Sequence, residues 1–389
     1  MTRHIFTVFI VLMTCVSAAG RDTVAVKSLY HDISAAVSGG YNLPSHGYYR
    51  GYNPAGRPLY ANSSLHFEYA FGFNPQTRQG SLYRGVTQGI GLSGLTFFDH
   101  ELMGTPVFAY IFQKARILDF RPGLGFDYKW DLGASYGWQR TELVGSRTNI
   151  YINVGLMLTW DISKSWSVSL GPEFSHCSNG DTCYPNGGAN LINLRAAVTG
   201  HAVPCHASAD RSAINEYETS LRQKNFARRM HYDLVLFGGW RSGKVNDEVY
   251  AIINKPFPFC GINFMPMYRL DRHFSVGASL DLIADRSSGI YDIVFDDEKE
   301  NVLDYKLPPL SRQLAAGLSV RADITMPIFT VGVGAGGFVL GNHSTLSGLY
   351  TMFCLKAFVT ERLFLNVSYR LSAHNYTHNM MYGLGWRFN

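Results

Sequence analysis

Past its first twenty residues the chain has no apolar run close to the ~18 residues a membrane helix needs, so a helical membrane protein is excluded. Charge is scarce: 16% of residues are Asp, Glu, Lys or Arg, against about a quarter in ordinary soluble domains. The net charge of +5 is mild and dispersed, which gives no basis for a nucleic-acid partner. Cysteine is sparse as well. Five of the six fall beyond residue 20, and an odd number leaves at least one thiol free. Cys177 and Cys183 bracket a single loop and are spaced to pair in an oxidising compartment. Gly332, Gly334 and Gly336 lack the helix that a phosphate-binding loop requires and read as small residues on one face of a strand. His374 and His378 lack the helix that would make their spacing a ligand pair, so no metal site is assigned.

What the sequence does contain is alternation. Residues 1–20 have a basic start at Arg3 and His4, an apolar stretch and small residues at Ser17–Gly20, the pattern of an export signal. Beyond it, Ile150, Ile152, Val154, Leu156, Leu158 and Trp160 alternate with Tyr151, Asn153, Gly155, Met157 and Thr159. The pattern recurs in Phe274–Leu282, in Leu363–Leu371 and at the end of the chain through Tyr382, Leu384, Trp386 and Phe388. Segments of about ten residues with a period of two are the signature of a transmembrane β-barrel. Such a surface hides within an average, and the mean hydropathy is −0.04.

Tight connections at 161–165, 271–273, 325–327 and 360–362 alternate with longer ones at 42–62, 142–148, 286–310 and 372–378. Outer-membrane barrels place short turns in the periplasm and long loops outside. The expected fold is therefore all-β: an antiparallel transmembrane outer-membrane β-barrel of about 16 strands, within a range of 12–16. Residues 21–389 are expected to form one barrel domain. The polar connection 201–230, with Ile214, Tyr217, Leu221 and Phe226 at near-helical spacing, interrupts the rule and carries no evident chemistry.

One strand carries more than packing. In 166–178 the apolar set is Trp166, Val168, Leu170, Pro172 and Phe174, and His176 and Ser178 continue the same parity. Residues i and i+2 share a face, so a base and a nucleophile project from a surface that faces lipid. The strand rises from the tight turn at 161–165, which sets the pair at the level of the outer leaflet. Asn190 has the lipid-facing parity of the next strand, with Ile192, Leu194, Ala196 and Val198. Three residues from two adjacent strands are thus expected to converge. A serine hydroxyl becomes a useful nucleophile when an imidazole takes its proton and a third group orients the ring. Ser178 is read as nucleophile, His176 as base and Asn190 as orienter. Asn179 and the backbone N–H groups of the loop containing Gly180 are read as oxyanion donors. No cofactor is required by this chemistry.

The run His176-Cys177-Ser178-Asn179-Gly180, with Asn186-Gly187 and Asn190 following, resembles the outer-membrane lipid A deacylases of the PagL and acyloxyacyl hydrolase type over about residues 150–200. The resemblance implies a lipid-embedded serine esterase that removes an ester-linked acyl chain from lipid A, the membrane anchor of lipopolysaccharide. It carries His176 and Ser178 over as base and nucleophile, and Asn179 and Asn186 as asparagines of the motif and loop. Position 190 departs from it, since the best-known members have Glu there. Asn at that place is similar to the outer-membrane phospholipases A, which would imply a phospholipid substrate and calcium; the sequence Gly180-Asp181-Thr182-Cys183 lacks their Arg-containing stretch. The remaining alternative is a non-catalytic channel or structural barrel, with the loop 286–310 and its Asp296, Asp297, Glu298 and Glu300 as plug or gate. The sequence leaves the oligomeric state open.

Overall fold

In the computed structural model of the chain, the described residues run from 29 to 388, apart from 75–79, 81–82, 84, 203–228, 247–249, 272, 297–300, 342–345 and 373–377. The export signal, the near-helical spacing inside 201–230, His374, and Asp297, Glu298 and Glu300 lie outside these residues.

The first eight strands are β1 (Leu29–Asn42), β2 (Ala61–Phe73), β3 (Val86–Thr96), β4 (Gly104–Arg121), β5 (Leu124–Trp138), β6 (Thr148–Asp161), β7 (Trp166–Ser178) and β8 (Ala189–His201). Each pairs with the next, and β8 returns to β1, with Asp32 opposite His201 and Asn42 opposite Leu191. That closes a first barrel. A second barrel contains β9 (Met230–Asn246), β10 (Tyr250–Arg269), β11 (Phe274–Asp285), β14 (Leu314–Thr325), β15 (Phe329–Leu340), β16 (Leu349–Phe358), β17 (Leu363–Ser372) and β18 (Asn379–Phe388). Here β18 closes on β9, with Tyr382 opposite Gly238. Between β11 and β14, β12 (Tyr291–Asp296) and β13 (Asn301–Lys306) form a separate two-stranded sheet.

Among the described residues there are sixteen antiparallel wall strands, but they form two rings of eight, which corrects the expected single ring. The physical reason is that a period of two states which side chains meet lipid and is silent on which strand closes on which. The long connection after β8 was the one local sign of a break.

The alternation itself is realised side chain by side chain. On β6, Ile152, Val154, Leu156, Leu158 and Trp160 are exposed on the outer face, while Tyr151, Asn153, Met157 and Thr159 are buried inside. Lipid stabilises that outer belt, where a charge would cost roughly 2–4 kcal/mol near the bilayer midplane. Trp160 and Trp166, on either side of the tight turn, suit the interfacial girdle.

An eight-strand barrel has an interior just wide enough for side chains; both interiors are lined by packed polar side chains, and the first keeps a cavity of about 1100 Å³ bordered by Asp32, Glu68, Lys129, Arg195 and His201. In the first, Arg195 and Lys129 meet Glu68 at 2.7 and 3.0 Å, Lys129 also pairs with Asp131, and the Tyr110 hydroxyl donates to Glu68 at 2.8 Å. These charges are buried and mutually compensated, as burial demands. Towards the long-loop end the lumen becomes apolar: Tyr48, Tyr49, Leu59, Phe97, Phe108, Trp138, Leu143, Tyr151, Cys177, Ala189 and Leu191 form one buried cluster. Tyr48 and Tyr49 belong to a 3₁₀ turn (Gly47–Arg50) in the β1–β2 loop, so this loop folds into the barrel mouth.

In the second barrel, Lys356 pairs with Asp233 and Asp323 at 2.8 and 2.7 Å, Arg387 with Asp233 at 2.7 Å, and Arg321 with Asp281 at 2.9 Å. Gly332 and Gly334 face these charges. A Cβ at Gly334 would fall 2.6 Å from Arg321 Cδ, and one at Gly332 2.4 Å from an Asp323 oxygen. The glycines leave room for luminal ion pairs.

Candidate active site

The wall of the first barrel brings His176, Ser178 and Asn190 together on its outer face. In the ladder between β7 and β8, His176 stands directly opposite Asn190 and Phe174 opposite Ile192. On the other side, β6 places Ile152 opposite His176 and Ile150 opposite Ser178. The parity read from the sequence and the observed register therefore agree.

Two hydrogen bonds join the three. His176 Nδ1 lies 2.7 Å from Asn190 Oδ1, and His176 Nε2 lies 2.9 Å from Ser178 Oγ. An amide oxygen only accepts, so Nδ1 carries the proton and donates it. Nε2 is then the acceptor for the serine hydroxyl. This is the tautomer a general base needs. The third member is a neutral amide, which orients the ring and brings no charge to balance an imidazolium.

Depth follows from strand geometry. Ten residues from Trp166 to His176 span about 33 Å of strand at ~3.3 Å per residue. With a tilt of ~40° that is roughly 25 Å along the barrel axis, the height of the apolar band. His176 and Asn190 are half-buried and Ser178 is 9% exposed. Around them, Ile152, Val154, Phe174, Ile192 and Leu194 expose apolar surface to the same side. A lipid acyl chain lying along the barrel would meet them.

The loop after Ser178 is tightly organised. Asn179 donates its side-chain amide to the carbonyls of Cys183 and Pro185 at 2.7 and 3.3 Å, and its backbone N–H to Asn186 Oδ1 at 2.9 Å. Asn186 Nδ2 in turn donates to Asp181 Oδ1 at 3.3 Å. Both side-chain amides are thus committed to shaping the loop. Gly180, with φ of +65°, takes a left-handed turn that glycine adopts without strain. Its N–H follows the nucleophile by two residues. Cys177 and Cys183 are free thiols, so the pairing their spacing allows is not formed. Cys177 is buried in the luminal cluster, and Cys183 Sγ donates to the Gly145 carbonyl at 3.4 Å.

Two supports were missed in the sequence. The β5–β6 loop is zipped to the motif loop: Gly145 N–H donates to Pro185 O at 2.7 Å, and Gly187 N–H to Leu143 O at 2.9 Å. Gly188 packs against the site itself. A Cβ there would stand 2.7 Å from the Cys177 carbonyl oxygen, 3.4 Å from Ser178 Cβ and 3.5 Å from His176 Cε1, at a φ of +65°. The Gly187-Gly188 pair just before Asn190 was the available signal.

The lipid A 3-O-deacylase (PagL) family matches residues 36–199, and the acyloxyacyl hydrolase C-terminal domain matches residues 230–389. Together they account for most of the chain and coincide with the two barrels. The chain belongs to the lipid A 3-O-deacylase family. It is an outer-membrane β-barrel protein of a family that deacylates lipid A. Comparison with curated proteins finds no match. Among solved structures, neisserial surface protein A shares 10% identity over 45% of this chain and 97% of its own, with a TM-score of 0.29. A Rhodopseudomonas blastica porin triple mutant shares 10% identity over 93% of this chain and 99% of its own, with a TM-score of 0.17. The Acinetobacter baumannii outer membrane protein Omp33 shares 8% over 94% and 100%, also with a TM-score of 0.17.

Proposed function

We propose that this deacylase is a serine esterase that removes an ester-linked acyl chain from lipid A in the outer leaflet, with Ser178 as nucleophile, His176 as base and Asn190 as the group that holds the ring. The observation that carries the reading is the unbroken hydrogen-bond chain from Asn190 through His176 to Ser178 on a lipid-facing wall.

In this mechanism Ser178 Oγ attacks the ester carbonyl carbon while its proton passes to His176 Nε2. The carbonyl oxygen takes the electron pair and meets the Gly180 N–H, a type of contact often worth ~3–4 kcal/mol. Collapse expels the sugar alkoxide, which receives the proton from His176, and leaves an acyl-enzyme. Water, deprotonated by His176, then attacks that ester, releases the fatty acid and restores the serine. In this reading the nucleophile and the base come from the chain, and no cofactor takes part.

The neutral third member favours one second reading, a phospholipase A in which calcium assists. A pore is disfavoured by the aromatic cluster, which closes the long-loop end of the first barrel above the buried ion pairs. Incubation of the purified protein with lipid A and, separately, with phospholipid, each with and without EDTA, separates the readings. The proposal expects free fatty acid from lipid A that is insensitive to EDTA. EDTA-sensitive lysophospholipid with intact lipid A would replace it with the phospholipase.

A further inference from the structure

The three site residues face outward, but the residues interleaved with them face inward. Cys177 lies between His176 and Ser178, and Ala189 and Leu191 flank Asn190. All three are buried in the luminal cluster, at 2%, 0% and 2% exposure. Against them lies the β1–β2 loop, folded into the mouth through Tyr48 and Tyr49. That loop makes two specific contacts with the segment that carries Asn190. The Tyr49 hydroxyl donates to the Gly188 carbonyl at 3.1 Å, and the Leu43 N–H donates to the Asn190 carbonyl at 2.8 Å. The loop is itself braced by Asn42, whose amide donates to Leu59 O and Ala61 O at 2.8 and 3.1 Å.

We infer that Tyr49 is a positioning residue for the reaction: from inside the barrel its hydroxyl fixes Gly188, and through Gly188 and Asn190 it sets the His176–Ser178 geometry on the outside. This rests on the proposed Ser178 chemistry. The physical basis is distance and stiffness. Gly188 sits in a left-handed conformation beside the pair, where an added Cβ would come within 3.4 Å of Ser178 Cβ and 3.5 Å of His176 Cε1, so displacement of its carbonyl moves the backbone that runs beside both side chains. Tyr49 is wholly buried, and burial pushes its hydroxyl pKa well above the usual tyrosine range, so it remains a donor. No substrate contact is required of it.

Tyr48 supplies an internal control. It belongs to the same turn and cluster, and its hydroxyl donates to Leu102 O at 3.2 Å and also interacts with Thr141, both outside residues 179–191. The experiment compares Tyr49→Phe with Tyr48→Phe in the full chain, each losing one buried hydroxyl. Steady-state deacylation is read together with backbone hydrogen exchange over peptides covering 179–191. Tyr49→Phe is expected to lower kcat about tenfold with KM unchanged, since misplacement of reacting groups by a fraction of an ångström has effects of that order. Exchange at 188–190 is expected to rise. Tyr48→Phe is expected to leave both unchanged. Unaltered exchange in Tyr49→Phe, or equal losses of kcat in the two variants, would overturn the inference. If exchange rises but the wild-type protein shows no Ser178-dependent deacylation, the functional reading fails and the catalytic role of Tyr49 fails with it.

Discussion

Replacing Asn190 by Leu, with the same number of side-chain heavy atoms and the same branching, removes the acceptor without opening a cavity. In the structure Asn190 Oδ1 is, among the described residues, the partner of His176 Nδ1, at 2.7 Å. Loss of a neutral hydrogen bond costs about 0.5–1.5 kcal/mol. The half-buried imidazole is also freed to exchange tautomers and rotate, so that the nitrogen facing Ser178 is the wrong one part of the time. A combined loss of about 2 kcal/mol corresponds to a fall of about 30-fold in kcat, at ~1.4 kcal/mol per tenfold. That is well short of the ~10⁴ that follows loss of tautomer control by a charged third member. The assay is steady-state release of fatty acid from lipid A micelles by the refolded protein, with heat-modifiable gel migration to verify the barrel. KM is expected to stay within twofold, because Asn190 touches the ring and leaves the acyl chain alone. A change in kcat below twofold would refute the orienting role. A fall to the level of Ser178→Ala would show that Asn190 does more than orient.

Further expectations follow from the same geometry. Asn190→Glu supplies a charged acceptor, whose hydrogen bond is roughly twice as strong; an increase in lipid A deacylation of about fivefold is expected, whereas collapse of activity would favour the phospholipase-like arrangement. Gly188→Ala places an L side chain at a φ of +65° and a Cβ 2.7 Å from the Cys177 carbonyl oxygen. The left-handed conformation alone costs roughly 1–2 kcal/mol, so a lower unfolding midpoint in urea and a fall in kcat of about tenfold are expected together; wild-type values for both would mean that the loop yields freely.

Most of the site was legible because a strand is a ruler. Parity placed His176 and Ser178 on one face and Asn190 on the same face of the next strand, and the ladder sets His176 opposite Asn190 as that reading requires. The lipid-facing belt on β6 was legible for the same reason. Closure was not: β8 returning to β1 depends on partner choice across some 160 residues, which alternation does not encode. The commitments of Asn179 and Asn186 were out of reach because a motif gives residue types and omits where each donor is spent; the Asn179 amide is spent on Cys183 and Pro185, and the Asn186 amide on Asp181. Tyr49 was out of reach for a different reason. Its contact with Gly188 joins residues 139 positions apart, and nothing in the local sequence of the β1–β2 loop marks it.

The central claim is that Ser178 of this barrel cleaves an acyl ester of lipid A, and the most direct test is mass spectrometry of lipid A and phospholipids from cells expressing the chain or its Ser178→Ala variant. The account predicts lipid A lighter by one hydroxyacyl group with the wild-type chain, unmodified lipid A with Ser178→Ala, and an unchanged phospholipid pool in both. Intact lipid A in both strains, with the barrel folded in the outer membrane, would contradict it.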